Sequence, residues 1–247
     1  MPRMTARMTD THDAPPVALI TGATGRLGRA AAAAFASDGY RLGLGGTDLR
    51  RLEAVAADLD LPADRWTAAV GDLGLDDGAR AAVQAVESRY GRIDVLLHLV
   101  GGWSGGAAIM DVDGAVLREM LDQHVWSTFH VTRAVVPGMT ERRDGRILAI
   151  TSTLTASPVA RSGPYIAAKS AQEVLLRALA REVAATGVTV NVVAVKAIDT
   201  ERERETAPSA KNAGWTTPDE IVDVLRYLAS AQASAINGQR IALDGRS

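Results

Sequence analysis

Two side chains that exchange protons lie four residues apart in the segment YIAAK, at Tyr165 and Lys169. Residues at this spacing are neighbours on one face of a helix. Because a nearby ammonium favours the phenolate, we expect Lys169 to lower the pKa of Tyr165 from its ordinary value of about 10. Tyr165 could then act as a general acid or base near neutral pH.

A serine hydroxyl precedes this pair. Ser152 directly follows RILAIT (146–151), an apolar segment that reads as a β-strand. In a doubly wound sheet, the carboxyl ends of the strands form the ligand crevice. We therefore expect the Ser152 hydroxyl to face the same carbonyl group that Tyr165 protonates. A tyrosine and a lysine alone would be weak support for catalysis, because such pairs often lie on a helix surface.

The segment TGATGRLG (21–28) is a candidate phosphate-binding loop. It leaves an apolar run, VALIT (17–21), and enters an Ala-rich helix, so backbone N–H groups and a helix N-terminus converge on one point. The G-x-x-G-x-x-G spacing places its glycines at Gly22, Gly25 and Gly28. A purely structural turn is the alternative to a dinucleotide site. Combined with Ser152, Tyr165 and Lys169, the loop predicts hydride transfer to or from a nicotinamide.

The end of the second strand bears on the choice between NAD and NADP. An acidic residue there binds the ribose 2′-hydroxyl of NAD, but this chain has Thr47, and Asp48 is expected to cap the next helix. Arg26, Arg50 and Arg51 would attract a 2′-phosphate, so NADP(H) is favoured over NAD(H). The alternative for Arg50 and Arg51 is a solvated helix face. Asp72, after the third strand, is placed to accept a hydrogen bond from the adenine.

Short apolar runs alternate with amphipathic segments along the chain, which is typical of βα units around a parallel sheet. The predicted strands are 17–21, 41–46, 66–73, 93–100, 146–151, 188–195 and 239–243. A long helix from about Gly114 should end near Pro137-Gly138. Another runs from Tyr165 to Ala185, with an apolar face of Ala168, Ala171, Leu175, Leu176, Leu179 and Val183. Thr217 begins the last helix with a capping box.

One domain accounts for most of the 247 residues. Residues 1–16 are polar and end in two prolines, so we expect a disordered extension before a single domain at 17–247. Within that domain, the charged segment 199–214 has no periodicity and is a candidate substrate lid. Tryptophans 103 and 215 could line an apolar pocket, but the substrate does not follow from the sequence.

Composition excludes several function classes. The formal net charge is −2 and there is no cysteine, so nucleic acid or an anionic membrane is not expected as a partner, and thiolate chemistry is excluded. The four histidines are scattered, which argues against a metal site. No apolar run approaches the roughly 20 residues of a membrane span. A soluble, cytoplasmic protein is therefore expected.

Taken together, these segments resemble the short-chain dehydrogenases/reductases of the single-domain branch, from about Val17 to the end of the chain. The resemblance rests on TGATGRLG, GDL with Asp72, Ser152, Tyr165 with Lys169, Asn191, Thr200 and the closing NGQRIALDG. It implies a Rossmann-type α/β fold with strand order 3-2-1-4-5-6-7, helices on both faces, and a homotetramer or homodimer whose contacts come from the two long helices and the last strand. It also implies NAD(P)-dependent oxidation of a secondary alcohol or reduction of a carbonyl in a small organic substrate.

The resemblance also implies roles for individual residues. The catalytic positions fall on Ser152, Tyr165, Lys169 and His124, where His124 replaces an asparagine thought to hold a water in a proton relay; the alternative is that this histidine only packs. The cofactor-binding positions fall on Gly22, Thr24, Gly25, Arg26, Leu27, Gly28, Thr47, Asp72, Leu73, Val100, Gly101, Tyr165, Lys169 and Thr200. Lys169 is expected to hydrogen-bond the nicotinamide ribose.

Two further segments depart from the family pattern. His98-Leu99-Val100-Gly101 stands where the family has N-N-A-G, so the amides that brace the central strand are missing. Val195-Lys196 replaces the Pro-Gly pair beside the nicotinamide. These changes leave open a catalytically impaired NAD(P)-binding sensor or partner subunit, and also the same site performing elimination or epimerisation. Retention of Ser152, Tyr165 and Lys169 favours an active oxidoreductase.

Overall fold

The computed structural model of the protein describes residues 14–244. Most of the extension predicted as disordered, residues 1–13, lies outside the described residues, as does the end of the closing NGQRIALDG motif. Within residues 14–244, no helix is both long and apolar enough to span a membrane.

Seven parallel strands form one sheet in the order β3-β2-β1-β4-β5-β6-β7. The strands are β1 (Val17–Thr21), β2 (Arg41–Gly46), β3 (Trp66–Val70), β4 (Val95–His98), β5 (Gly145–Ser152), β6 (Val188–Val195) and β7 (Arg240–Leu243). The Rossmann-type fold and the strand order implied by the resemblance are confirmed. The order reverses between β1 and β4, where open α/β sheets bind ligands at the carboxyl ends of the strands.

Helices cover both faces of the sheet. They are α1 (Arg26–Ser37), α2 (Leu49–Asp58), α3 (Asp76–Tyr90), α4 (Gly114–Leu121), α5 (Ser127–Arg142), α6 (Gly163–Glu182), α7 (Glu203–Thr206) and α8 (Pro218–Ala229). One buried cluster joins α1, α2 and α8 to the sheet, and a second joins α3, α5 and α6 to it. Strands buried on both faces explain why their sequences are continuously apolar.

The prediction that the long helix ends near Pro137-Gly138 is wrong, because α5 continues to Arg142 with Pro137 inside it. Val135 and Met139 are 1% and 0% exposed, so their packing against the sheet holds the helix together across the proline. The residue after the helix, Arg143, caps it with a left-handed backbone at φ 56°. The sequence prediction also missed a π-helical turn, Asp122–Trp126, that joins α4 to α5.

The predicted apolar face of α6 is only partly correct. Ala168, Leu176 and Val183 are buried, whereas Leu175 and Leu179 line a surface groove between α5 and α6. The helix instead turns a face with polar residues toward the sheet, because Lys169, Gln172 and Glu173 are all buried. Burying polar groups is costly unless they are hydrogen-bonded, so this face requires a network of partners.

Candidate active site

Ser152 and Tyr165 meet at the carboxyl end of β5. Ser152 is the last residue of that strand and Tyr165 lies in the first turn of α6. The nearby Ser152 side chain lowers the pKa of Tyr165, but burial has the larger effect and leaves that pKa raised above 10. The prediction that Lys169 lowers the pKa of Tyr165 is therefore wrong. At neutral pH the phenol carries its proton.

Lys169 lies one turn further along α6 and is 6% exposed. Its Nζ donates hydrogen bonds to the Ile150 carbonyl oxygen at 2.8 Å and to Gln172 Oε1 at 3.0 Å. Burial lowers the pKa of Lys169 to about 7, against the opposing effect of the Glu173 carboxylate. The lysine can therefore change charge near neutral pH.

His124 lies in the π-helical turn, fully buried beside Tyr165. The two rings meet edge to face, with centroids 5.6 Å apart. His124 Nε2 lies 3.0 Å from the Gly102 carbonyl oxygen, so this nitrogen carries the proton, while Nδ1 is buried without a hydrogen-bond partner among the described residues. Burial and the charge of Lys169 lower the pKa of His124 to about 3, which keeps the ring neutral.

The amides that brace the central strand in the family are missing from this chain. His98 braces the strand in their place. Its Nδ1 lies 2.9 Å from Thr21 Oγ1 on β1, and its Nε2 lies 3.3 Å from Ser127 Oγ on α5. The ring is 1% exposed, and burial lowers the pKa of His98 to about 3. One neutral imidazole thus ties the central strands to α5 through its two nitrogens.

An ion pair between the buried Glu173 and the half-buried Arg240 supports the turn that follows Ser152. Glu173 Oε1 accepts hydrogen bonds from Thr151 and Thr155 at 2.7 and 2.5 Å, and Glu173 Oε2 pairs with Arg240 Nε at 3.3 Å. Arg240 Nη2 donates to the Ser152 carbonyl oxygen at 3.1 Å. This network connects α6 and β7 to the backbone of the candidate catalytic serine.

A cleft of 690 Å³ runs along the carboxyl ends of β1 to β4. It is lined by six of the predicted cofactor-binding residues: Gly22, Thr24, Thr47, Asp72, Leu73 and Val100. A carbon added at Gly28 would lie 2.2 Å from the Gly22 carbonyl oxygen, so the tight turn from β1 into α1 requires glycine there. The size of the cleft and its glycine-rich wall fit a dinucleotide.

The other predicted cofactor-binding residues are not part of the lining of this cleft. Gly25 is the N-cap of α1, and Leu27 is buried in the core. Gly101 has φ 150°, and a carbon added to it would lie 2.3 Å from His124 Cε1. Thr200 is half-buried in the segment after β6. Asp48 caps α2 as predicted, accepting hydrogen bonds from the Arg50 and Arg51 N–H groups at 2.9 and 3.3 Å.

Ion pairs hold the charged segment 199–214. Arg26, in the glycine-rich loop, reaches across to Glu201 at 2.5 Å, with both side chains more than half exposed. Arg202 pairs with Asp219 at 2.6 Å, and the half-buried Arg204 pairs with Glu220 at 2.9 Å. The predicted lid is therefore tied both to the first turn of α1 and to the N-terminus of α8.

The Val195-Lys196 pair does not place a cation in the core of the site. Val195 is 5% exposed at the end of β6 and belongs to the apolar core, whereas Lys196 is exposed. Asn191 hydrogen-bonds the Ile236 carbonyl oxygen at 2.7 Å and the Gln239 N–H at 3.0 Å. It thereby fixes the segment leading into β7.

Sequence reasoning missed four residues that support the candidate site: His98 as a brace, Gln172, Glu173 and Arg240. A signal for two of them was present, because Gln172 and Glu173 lie three and four residues after Lys169 and so share its helix face. Polar residues on that face are unexpected unless they bind one another. No local sequence pattern indicates the contact of Arg240 with Glu173, because the pairing of β7 with β6 brings the two residues together.

A family model described as short chain dehydrogenase matches residues 16–211. Among curated relatives, the chain is 36% identical to subunit BbsC of a hydroxy(phenyl)methylsuccinyl-CoA dehydrogenase from Thauera aromatica, over 93% of each chain. It is 30% identical to the 3-oxoacyl-(acyl-carrier-protein) reductase FabG of Thermotoga maritima, over 93% of this chain and 96% of the relative. The crystal structure of levodione reductase superposes with a TM-score of 0.84 at 25% identity, covering 93% of this chain and 96% of that one.

Proposed function

The chain belongs to the short-chain dehydrogenase family, and on that premise we propose that it interconverts a carbonyl and a secondary alcohol in a small organic substrate, with NADP(H) as the cofactor. The observation that carries the proposal is that the side chains of Ser152 and Tyr165 come together at the end of β5, close enough for Ser152 to affect the pKa of the phenol, one helical turn from Lys169. NAD(P)-dependent oxidoreductase chemistry is the activity of this family. The substrate and the individual roles below are our proposal.

Ser152 and Tyr165 would bind the substrate oxygen between two hydroxyl groups. Because burial raises the pKa of Tyr165, its phenol is protonated at neutral pH and can donate that proton to a carbonyl oxygen as it gains negative charge. This protonation state favours the direction of carbonyl reduction. When bound, the nicotinamide cofactor supplies or accepts the hydride.

The glycine-rich loop and the cleft would hold the dinucleotide. Backbone N–H groups at the start of α1 suit the pyrophosphate, Asp72 suits the adenine amine, and Lys169 suits a ribose hydroxyl. Thr47, at the 2′ position, offers no carboxylate to repel a phosphate. For Arg26 to reach that phosphate, it would exchange its ion pair with Glu201 for one with the cofactor.

The cofactor choice is tested by titrating the protein with NADPH and NADH and following nicotinamide fluorescence. We expect tighter binding of NADPH, and Arg26→Gln to weaken NADPH binding by about tenfold while leaving NADH unchanged, as expected for a single charged contact. Arg80→Gln, which removes an exposed arginine on α3, is the control. Preferential binding of NADH, or equal effects of Arg26→Gln on both cofactors, would refute the choice of NADP.

The reaction is tested by following NADPH oxidation with a panel of ketones and 3-oxoacyl thioesters. Tyr165→Phe removes the proton donor and should lower kcat by about 10²–10⁴-fold, with cofactor binding retained. Tyr227→Phe is the matched control, because that tyrosine is 53% exposed on α8. A Tyr165→Phe enzyme as active as wild type would exclude the proposed role.

A partner subunit is the second candidate, favoured by the relative from Thauera aromatica, which is itself named as one subunit of a dehydrogenase. Such a protein would bind NADPH and turn over no substrate alone. Cofactor binding without oxidation of NADPH across the panel would favour this candidate.

We also propose a homo-oligomer. The groove between α5 and α6 has a volume of 440 Å³ and an apolar wall that includes Phe129, Val136, Leu175 and Leu179. Phe129 is 38% exposed and Trp126 beside it is 48% exposed, and apolar surface of this kind is typical of interfaces. Light scattering should show a dimer or tetramer that Leu179→Glu dissociates; a monomeric wild type would contradict the proposal.

A further inference from the structure

Gln172 is a buried amide that uses both of its ends. It is 1% exposed on the sheet-facing side of α6. Its Oε1 accepts a hydrogen bond from Lys169 Nζ at 3.0 Å, and its Nε2 donates one to Thr128 Oγ1 at 2.8 Å. An amide buried at this depth destabilises the fold unless such partners are present.

The hydroxyl of Thr128 fixes which way the amide faces. Thr128 is fully buried and donates its proton to the His124 carbonyl oxygen, at 2.6 Å, inside the π-helical turn. Toward Gln172 the hydroxyl is therefore an acceptor, which requires the NH₂ group of the amide. The amide oxygen is thus directed at Lys169, where an ammonium needs an acceptor.

Lys169 accordingly has a defined position. An ammonium has three N–H donors, and within residues 14–244 it uses two of them, on the carbonyl of Ile150 and on Gln172. The third remains for a ligand. The ring of His124 hydrogen-bonds Gly102 and not Lys169. The contacts that connect His124 to the lysine therefore run through the backbone of the π-helical turn and Gln172.

We propose that Gln172 is the positioning residue of Lys169: it holds the ammonium at the carboxyl end of β5 and connects it, through Thr128, to the π-helical turn that carries His124. This inference deepens the proposed function and rests on it for the catalytic role of Lys169. Gln172 does not contact the reacting groups. Its effect is on the position and the protonation of the lysine.

Other charged and titratable groups around Lys169 are carried by three elements. His98 on β4 and His124 in the π-helical turn both respond to the lysine's charge, and Glu173 on α6 opposes its loss of a proton. Tyr165 lies one turn before it on α6. Both histidines are neutral above about pH 3. The other ionisable groups near Lys169 are Tyr165 and Glu173, and Glu173 is paired with Arg240.

The chain contains only three lysines, Lys169, Lys196 and Lys211, so the protonation of Lys169 can be measured directly. Protein labelled with ¹³C at lysine Cε gives three NMR signals, and Lys169→Arg identifies the signal of Lys169. The titration midpoint is read for the wild type, Gln172→Met and Gln172→Glu. Lys196 and Lys211 are internal controls, and Gln84→Met, at an exposed position of α3, is the control variant.

Opposite shifts are expected from the two variants. Gln172→Met removes an acceptor that favours the ammonium, so the midpoint should fall by about one pH unit, or tenfold in the ionisation constant. Gln172→Glu retains the shape and adds a carboxylate, so the midpoint should rise. If Gln172→Met fails to fold by circular dichroism, the rise in Gln172→Glu alone decides. Midpoints within about 0.2 pH units of wild type in the folded variants would overturn the inference.

The measurement uses the protein without cofactor or substrate, which separates the two proposals. Opposite shifts in a protein that reduces no carbonyl compound would leave the positioning of Lys169 standing and refute the proposed reaction. Unshifted midpoints in a protein that reduces carbonyls would refute only the role of Gln172. In an active protein, Gln172→Met should also lower kcat more than it raises KM, a split that loss of stability alone does not produce.

Discussion

Removal of Arg240 tests whether burial increases the contribution of the ion pair between Glu173 and Arg240 to the free energy of unfolding. The side chains of Arg240 and Glu173 are 24% and 9% exposed, and Nε and Oε2 are 3.3 Å apart. Arg240→Met keeps the apolar stem of the side chain but leaves the Glu173 carboxylate buried without its cation. Breaking a buried pair in this way costs about 3–5 kcal/mol. Because Thr151 and Thr155 still donate to Glu173, we expect about 2–3 kcal/mol.

The matched control is Arg29→Met. Arg29 and Asp58 are closer, at 2.6 Å, but their side chains are 38% and 63% exposed. Exposed pairs contribute about 0–1 kcal/mol, so the shorter pair should matter less. Urea unfolding followed by circular dichroism gives the free energy of each variant. Adding Glu173→Gln to Arg240→Met should recover part of the loss, since no charge is then left buried.

The comparison of the two variants is decisive. An equal or larger loss in Arg29→Met would mean that the distance between the charged atoms, and not their burial, sets the contribution of these pairs. A loss below about 1 kcal/mol in Arg240→Met would mean that Glu173 is satisfied by the two threonines alone. Either result would refute the expectation that burial makes the pair of Glu173 and Arg240 important for stability.

Three further outcomes are expected. The pKa values of His98 and His124 are lowered to about 3 in the fold, so unfolding takes up protons below pH 6.5; the stability that these two histidines contribute should be full above that pH and fall by about 1.4 kcal/mol per pH unit per histidine toward pH 3. His98→Asn should reduce this slope between pH 6.5 and 5, and an unchanged slope would contradict the assignment. Thr217→Ala removes the capping box of α8 and should lower the unfolding free energy by about 1 kcal/mol, whereas a change within error in urea unfolding would argue against it. Gly28→Ala forces a contact of 2.2 Å with Gly22 and should weaken NADPH binding in the fluorescence titration; unchanged affinity would show that the loop tolerates the shift.

Local sequence patterns were sufficient to predict strands and helix caps. Strands β2 and β6 have the bounds that their apolar runs predicted, and Thr217 forms both bonds of the predicted capping box. These features depend on residues close in sequence, so their physical causes, side-chain periodicity and backbone capping, can be read from a short segment. The same holds for the i, i+4 spacing that places Tyr165 and Lys169 on one helix.

Tertiary packing decided the rest. Helix α5 passes through Pro137 because buried neighbours hold it, and the π-helical turn that buries His124 has no local signal that the sequence analysis used. The partners of Lys169 and the brace formed by His98 join residues that are distant in sequence, as does the pair of Glu173 with Arg240. The sequence by itself determined the fold class and the candidate catalytic groups, because both follow from residue type and local period. Only the tertiary structure decided their pKa values and hydrogen-bond partners, since burial and contacts between distant segments exist only after the chain has folded.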